Sequence, residues 1–326
     1  MRVVCLPGDG IGPEVTLAAQ EVLRVLVPDV ELDERSVGGA AIHATGEPLP
    51  ADTLAACKGA DAVLLGAVGL PEFDGAAIRP EQGLIGLRRE LDVYANLRPS
   101  RTDAIDLLIV RELVGGLYYG ARGVREDGTV FDTCEYHPSQ IERVAHRGFA
   151  LARARRGHLT SVDKANVLDT SRLWRRVVSE LAAEYPDVAL EHMLADNAGL
   201  QLVLAPEQFD VILTENTFGD ILSDVAAGMT GGLGLAASAS LGDAGPGIFE
   251  PVHGSAPDIA GRGIANPAAM LRSVALLLEH GLGRPDEARA LDGAVDSTLV
   301  STPTPDLGGS ATTAGFVAAV LERLAR

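Results

Sequence analysis

The stretch FDVILTENTFGDILSDVAAGMTGG, residues 209–232, opens as an apolar strand, turns polar at TEN and passes through Gly219 into helical periodicity. A strand feeding directly into a helix is the unit from which α/β proteins are built. Within that helix Asp220 and Asp224 lie four residues apart and therefore share a face. Ile221, Leu222, Val225 and Ala226 surround them, and two like charges in such surroundings are costly without a cation. Two hard oxygen ligands aimed at one point suit Mg2+ or Mn2+. The same pair also suits a solvated helix face or a first turn, where Asp is favoured.

Outward from this stretch the same alternation repeats. Strand-like runs occur at RVVCLP (2–7), ADAVLLGAVG (60–69), LDVYANLRP (91–99), DLLIVREL (106–113), GHLTSVDK (157–164) and VALEHMLAD (188–196). Helical periodicity separates most of them, as in PSQIERVAHRGFALARARR (138–156) and SRLWRRVVSELAAEY (171–185). The order implies an α/β protein with a mostly parallel sheet. Residues 228–267 break the pattern with a long run dense in Gly, Ser and Pro, which reads as an ordered binding loop. Two helical runs, AAMLRSVALLLEHGL and ATTAGFVAAVLERLA, follow it.

The first turn, GDGIGPE, invites a dinucleotide-binding reading that its details oppose. Gly8, Gly10 and Gly12 are spaced GxGxG and not GxGxxG, and Glu14 places a negative charge where a pyrophosphate belongs. A Rossmann fold is therefore not expected.

Composition narrows the function. With 326 residues and 47% hydrophobic content the chain can bury a large core in two domains or lobes, and 4% aromatics suit α/β layers. A net charge of −18 argues against a nucleic-acid or anionic-membrane partner. Cys5, Cys57 and Cys134 are odd in number and scattered without a CxxC, as reduced thiols of a cytoplasmic protein would be. Neither a signal peptide nor a membrane span is expected.

The basic residues carry another clue, because 25 are Arg and only Lys58 and Lys164 are Lys. Lysine can lose its proton when buried near other cations, and arginine cannot. Lys58, in AACKGAD, reads as a surface residue, whereas Lys164 ends an apolar stretch where α/β folds place chemistry. Arg88 and Arg98 flank LDVYAN and Arg111 ends DLLIV, so three arginines are available to clamp a small polyacid. Tyr118 offers a phenolic proton and Asp196 a third metal carboxylate; a buried packing role and an N-cap are the respective alternatives.

Six motifs in order, PGDGIGPE, GLIGLRRELDVYANLRP, VREL with GG and YYG, SVDKANVL, ENTFGDILSD and EPVHGSAPDIAGRGIANP, carry a resemblance that runs nearly end to end. The chain resembles the β-decarboxylating dehydrogenases, the isocitrate/isopropylmalate dehydrogenase family, and is most similar to its isopropylmalate branch. The resemblance implies a two-lobed, non-Rossmann fold, with residues 1–94 and 233–326 forming a cofactor-loop domain and 95–232 a metal, substrate and dimerisation domain.

It further implies oxidation of a 2-hydroxy acid by hydride transfer, followed by loss of CO2. On this chain Arg88, Arg98 and Arg111 match the arginines that hold a dicarboxylate substrate, and Asp196, Asp220 and Asp224 match the carboxylates for Mg2+ or Mn2+. Lys164 matches the residue that takes the hydroxyl proton and Tyr118 the one that reprotonates the enol carbon. Asn166 and Val167 fall in the substrate motif. The cofactor loop matches Gly254, Ser255, Ala256, Pro257, Asp258, Ile259 and Asn266, with Glu250 and His253 before it. Asp258, followed by Ile259, stands where NAD-using members accept the adenosine ribose hydroxyls, and a 2′-phosphate would meet its like charge, so NAD is expected over NADP.

Glu81, Leu84 and Ile85 occupy the segment in which family members differ, and the last two offer an apolar surface for an isopropyl group. A few methyl contacts discriminate by about 1–3 kcal/mol, which leaves homoisocitrate, D-malate and tartrate as alternative substrates. The family also implies a homodimer with shared active sites, Lys164 and Asp196 reaching into the partner's site. The connection 100–106 is shorter than family members usually carry.

Overall fold

The computed structural model describes residues 1–325, and the chain divides into two compact units. The first takes residues 1–92 and the chain from 233 onward; the second is Val93–Gly232. The chain enters the first unit through β1 (Arg2–Gly8), α1 (Gly12–Leu26), β2 (Glu31–Glu34), α2 (Gly38–Thr45), α3 (Ala51–Lys58), β3 (Ala62–Ala67) and α4 (Glu81–Glu90). The second unit contains β4 (Ala95–Arg101), β5 (Asp106–Glu112), β6 (Arg122–Val124), β7 (Val130–Asp132), α5 (Pro138–Ala154), β8 (His158–Asp163), α6 (Asp169–Leu181), β9 (Ala189–Leu194), α7 (Ala195–Leu204), β10 (Val211–Thr214) and α8 (Asn216–Met229). The return to the first unit adds β11 (Ala237–Leu241), β12 (Gly247–Pro251), α9 (Ala268–Leu276), α10 (Pro285–Ser301) and α11 (Thr313–Leu324).

In the first unit the strand order is β2-β1-β3-β12-β11, parallel except for the β11–β12 pair. Every residue of β3, AVLLGA, is buried, as expected of a parallel strand covered on both faces. The turn after β1 explains the glycines of GDGIGPE. Gly8 and Gly10 have φ of 70° and 57°, and a Cβ on either would lie 2.0 Å from a carbonyl oxygen, that of Ala67 or Ser255. These glycines thus seat one backbone against another. Asp9 Oδ atoms accept from the backbone N–H groups of Gly39, Ala40 and Gly69, and Glu14 accepts from Gly263 and Ala265, so both carboxylates of the motif serve loop structure.

In the second unit the order is β4-β5-β10-β8-β9, with only β4–β5 antiparallel, and β6 and β7 form a separate two-stranded ribbon. The connection at 100–106 is a tight hairpin in which Arg101 pairs Asp106 and Thr102 N donates to Ile105 O at 2.7 Å. Helix α6 buries Trp174, Val177, Val178 and Leu181 along one face, the period expected of an amphipathic helix. Ile109, Val162, Phe209, Ile212, Leu222 and Ala226 belong to one buried cluster, which fixes α8 against the sheet.

The region read as a single long loop, 228–267, contains two strands. ASASL of β11 and GIFEP of β12 are buried at every position, but small Ala and Ser side chains give β11 no apolar alternation to read. β2, with the acidic sequence ELDE, escaped for a similar reason. Among the described residues no helix is long and apolar enough to cross a membrane. Burial raises the Cys5 and Cys57 thiols to about 11 and about 12, which leaves them unreactive.

Candidate active site

In the second unit, sheet pleating gathers the charges. Asn96 on β4 stands opposite Arg111 on β5, and Arg98 is two residues beyond Asn96, so both guanidinium groups project from the same face. α8 follows β10 directly, and Glu215 caps it by accepting from Phe218 N at 2.7 Å. A Cβ at Gly219 would lie 2.6 Å from Arg111 Cγ, so glycine lets the buried arginine pass beneath the helix.

Arg111 donates from Nη1 to Asp220 Oδ1 at 2.5 Å and from Nε and Nη2 to Asn216 Oδ1 at 3.0 and 2.7 Å. Arg98 donates to Ser223 Oγ at 2.6 Å and reaches Asp224 Oδ1 and Asp220 Oδ1 at 3.3 and 3.4 Å. Tyr118, on the turn after β5, donates its hydroxyl to Asp220 Oδ2 at 2.9 Å. Burial, then the Asp220 charge, pushes the Tyr118 phenol above its ordinary value, so it is a protonated donor near neutrality. Burial also raises the Asp224 carboxyl, with Arg98 opposing and the Asp220 charge adding to the rise.

Lys164, just beyond β8, donates from Nζ to Asp196 Oδ1 at 2.5 Å. This hydrogen bond is the main reason the Asp196 carboxyl lies below its ordinary value. Asp163, buried beside it, receives Arg175 through two nitrogens at 2.8 and 3.0 Å and so fixes the strand end that carries the lysine. Asn166 and Val167 are exposed in the turn that follows. Among the described residues no three His, Cys, Asp or Glu side chains are grouped to hold a metal. Within one chain, therefore, Asp196 accompanies Lys164 and does not join Asp220 and Asp224.

In the first unit, Arg88 on α4 donates from Nη2 to Glu250 Oε1 at 2.7 Å, with both side chains largely buried. On the same helix Ile85 is exposed, Leu84 is half-buried and Glu81 is exposed. In the loop from Gly254 to Asn266, Ser255 is buried and its carbonyl accepts from Ile11 N at 2.7 Å, while Asp258 and Pro257 are exposed and Ile259 is half-buried. Ala256 has φ of 37°, a left-handed conformation for a residue with a side chain. Asn266 donates to Asp306 Oδ2 at 3.0 Å and accepts from Ala268 N at 3.0 Å. His253 bonds Gly254 O through Nδ1 at 2.9 Å, its Nε2 is buried without a hydrogen-bond partner, and burial holds the imidazole below its ordinary value and hence neutral.

Two residues that hold these groups, Asn216 and Ser223, were not singled out in the sequence, and Glu14 stood out there only as a charge opposing a pyrophosphate. Asn216 and Ser223 each bind an arginine of the cluster, and Glu14 ties the loop at 263–265 to Thr313. A polar side chain directly after the apolar run VILT was a usable signal for Asn216; Ser223 carried none.

A family model described as isocitrate/isopropylmalate dehydrogenase matches residues 2–320. The chain is 50% identical to the 3-isopropylmalate dehydrogenase of Zymomonas mobilis, over 99% of this chain and 100% of that protein. Its fold matches the isocitrate dehydrogenase of Methylococcus capsulatus with a TM-score of 0.92 and 38% identity, covering 100% of this chain and 99% of the other. A β-decarboxylating dehydrogenase from Thermococcus kodakarensis, solved in its apo form, gives a TM-score of 0.88 and 39% identity over 99% and 96% of the two chains. With likeness of this extent, the chain belongs to the isocitrate/isopropylmalate dehydrogenase family and is a β-decarboxylating dehydrogenase.

Proposed function

We propose that the chain catalyses the NAD-linked oxidative decarboxylation of (2R,3S)-3-isopropylmalate to 4-methyl-2-oxopentanoate and CO2. The observation that carries the chemistry is the convergence of Arg98, Arg111 and the Tyr118 hydroxyl on Asp220, with Asp224 one helical turn away. The substrate choice is supported by 50% identity to a 3-isopropylmalate dehydrogenase over 99% of this chain and by the apolar Leu84 and Ile85.

The donor set fits a hard divalent cation, because Asp220 and Asp224 are carboxylates one turn apart on α8 and the Asp224 side chain is half exposed and open to a ligand. When bound, Mg2+ or Mn2+ supplies Lewis-acid polarisation of the substrate C2 oxygen. The loop after His253 fits a nucleotide: a Cβ at Gly254 would meet nothing within 4 Å, and the buried His253 Nε2 lacks a partner. NAD, when bound there, supplies the hydride acceptor. Arg88, Arg98 and Arg111 hold the substrate carboxylates, and Lys164 takes the C2 hydroxyl proton, directly or through water. Tyr118, kept protonated, delivers a proton to the carbon that loses CO2. Asp258 accepts from the adenosine ribose hydroxyls and disfavours a 2′-phosphate.

The Lys164–Asp196 pair enters the site of a second copy in a C2 homodimer. Leu200, Val203 and Leu204 form an i, i+3, i+4 apolar stripe on α7 with 54%, 63% and 66% exposure, and Ile221 on α8 is 58% exposed, a surface suited to such a dimer. NADH formation from isopropylmalate, homoisocitrate, isocitrate, D-malate and tartrate, with Mn2+ and with EDTA, tests the reading. Isopropylmalate is expected to have the largest kcat/KM and EDTA to abolish turnover; a larger value for another acid overturns the substrate, and turnover in metal-free enzyme overturns the metal. Inactive Lys164→Ala and Asp220→Ala chains, refolded together, are expected to recover about a quarter of wild-type activity, since about half the dimers are mixed and each carries one intact site. No recovery in confirmed mixed dimers refutes sharing.

A further inference from the structure

Behind the arginine cluster, two glutamates meet a single phenol. Tyr136 OH lies 3.1 Å from Glu112 Oε2 and 3.3 Å from Glu215 Oε2, and it accepts from Asn216 N at 3.0 Å. The glutamates are 0% and 7% exposed. Glu112 also accepts from Val114 N and Gly115 N at 3.0 and 2.9 Å, and Glu215 accepts from Phe218 N at 2.7 Å. The phenol packs so closely on the turn leading to Tyr118 that a Cβ at Gly116 would lie 2.5 Å from its oxygen. Three segments therefore meet at one oxygen: the end of β5, the approach to α5, and the start of α8.

A hydroxyl carries one proton and cannot donate to two carboxylates at once. We propose that Tyr136 is a positioning residue for α8, held in a proton-sharing junction in which neutral Glu112 donates to the Tyr136 oxygen and Tyr136 donates to ionised Glu215. The phenol oxygen then uses both lone pairs, one for Asn216 N–H and one for Glu112. Glu215 is the group to remain ionised, because it caps α8 at the positive end of the helix dipole.

The charges around the junction agree. Burial raises Glu112 to about 7, opposed by Val114 N, Tyr136, Gly115 N and the Arg143 charge; burial also raises Glu215, opposed by its backbone partners, Tyr136 and the Arg111 charge. Burial, then the charges of Glu112 and Glu215, pushes the Tyr136 phenol up as well. The nearby Cys134 thiol is likewise raised, chiefly by burial. Since the folded chain keeps a proton on Glu112 that the unfolded chain releases above 4.5, stability falls as pH rises from there through about 7.

The proton is tested on metal-free, full-length protein without assuming any role for α8. A carboxylic-acid C=O band in the infrared spectrum is expected to disappear as pH rises through about 7, to be absent in Glu112→Gln and to persist in Glu215→Gln. A band that persists in Glu112→Gln, or vanishes only in Glu215→Gln, overturns the assignment. The consequence rests on the metal-helix reading and is measured by Mn2+ binding in solution. Tyr136→Phe is expected to weaken Mn2+ about 10-fold, as loss of a group supporting a ligand does. Wild-type Mn2+ affinity in Tyr136→Phe overturns the positioning role. Should that variant not fold, the two glutamine variants still decide where the proton lies.

Discussion

Two sets of carboxylates, one in each unit, are held in opposite ways. In the first, Asp9 and Glu14 face backbone N–H groups, those of Gly39, Ala40, Gly69, Gly263 and Ala265. In the second, Asp220 faces two arginines and a tyrosine, and Asp196 faces Lys164. Backbone donors belong to the fold and are not exchanged, so they define a shape. Side-chain ions can turn to a ligand, and a lysine or a tyrosine among them can give up a proton. The contrast implies that changes around the first set act on stability and cofactor affinity, whereas changes in the second act on the chemical step.

The largest effect is expected where a proton is moved. Lys164→Arg keeps the charge beside Asp196 but cannot supply a neutral base, so kcat should fall roughly 100-fold or more, about as far as in Lys164→Ala. Tyr118→Phe should slow the step after hydride transfer, and rapid-mixing absorbance should then show NADH forming before product. An arginine variant with most of its kcat would place Lys164 among the shape-defining groups.

The next effect probes shape itself. Gly10→Ala puts a side chain at φ of 57° with its Cβ 2.0 Å from Ser255 O, whereas Gly46→Ala meets a similar φ of 84° with nothing within 4 Å. Both carry backbone strain of about 1–3 kcal/mol. Only the first also displaces Ser255, so its denaturation midpoint should drop further and its KM for NAD should rise while kcat changes little. Equal behaviour of the two variants would mean that the seat of Ser255 does not matter.

The difference between the units also explains what the sequence disclosed. Asp220, Asp224, Arg98, Arg111 and Lys164 stood out because they are charged groups at the ends of apolar runs, and the structure places the first four together. The alternation of strand and helix was visible for the same reason: buried parallel strands such as AVLLGA are continuous apolar runs. What stayed hidden was built from backbone or from small polar residues. β11 is Ala and Ser, and the role of Glu14 depends on N–H groups about 250 residues away in the chain.

Cofactor preference gives a smaller expected effect. Asp258 is exposed and Ile259 half-buried on a loop whose anchors, Ser255 and Asn266, are buried. Asp258→Lys with Ile259→Tyr should leave those anchors in place and move the NAD to NADP ratio of kcat/KM toward NADP by roughly 10-fold, the worth of removing one like-charge contact and adding one favourable contact. An unchanged ratio would put the ribose elsewhere on the loop.

The smallest expected effect concerns the apolar face of α4. Ile85 is 42% exposed, so its truncation removes little packing from the folded chain. Any effect of Ile85→Ala should therefore appear as lost contact with the substrate. Removing such a contact is worth about 1 kcal/mol, roughly fivefold in kcat/KM for isopropylmalate. The value for D-malate, which lacks the isopropyl group, should stay close to wild type, because Arg88 one turn along remains bonded to Glu250 and keeps the helix in place. A parallel fall for both acids would mean that Ile85 supports the helix, and the alkyl-binding surface would then have to be sought away from this position.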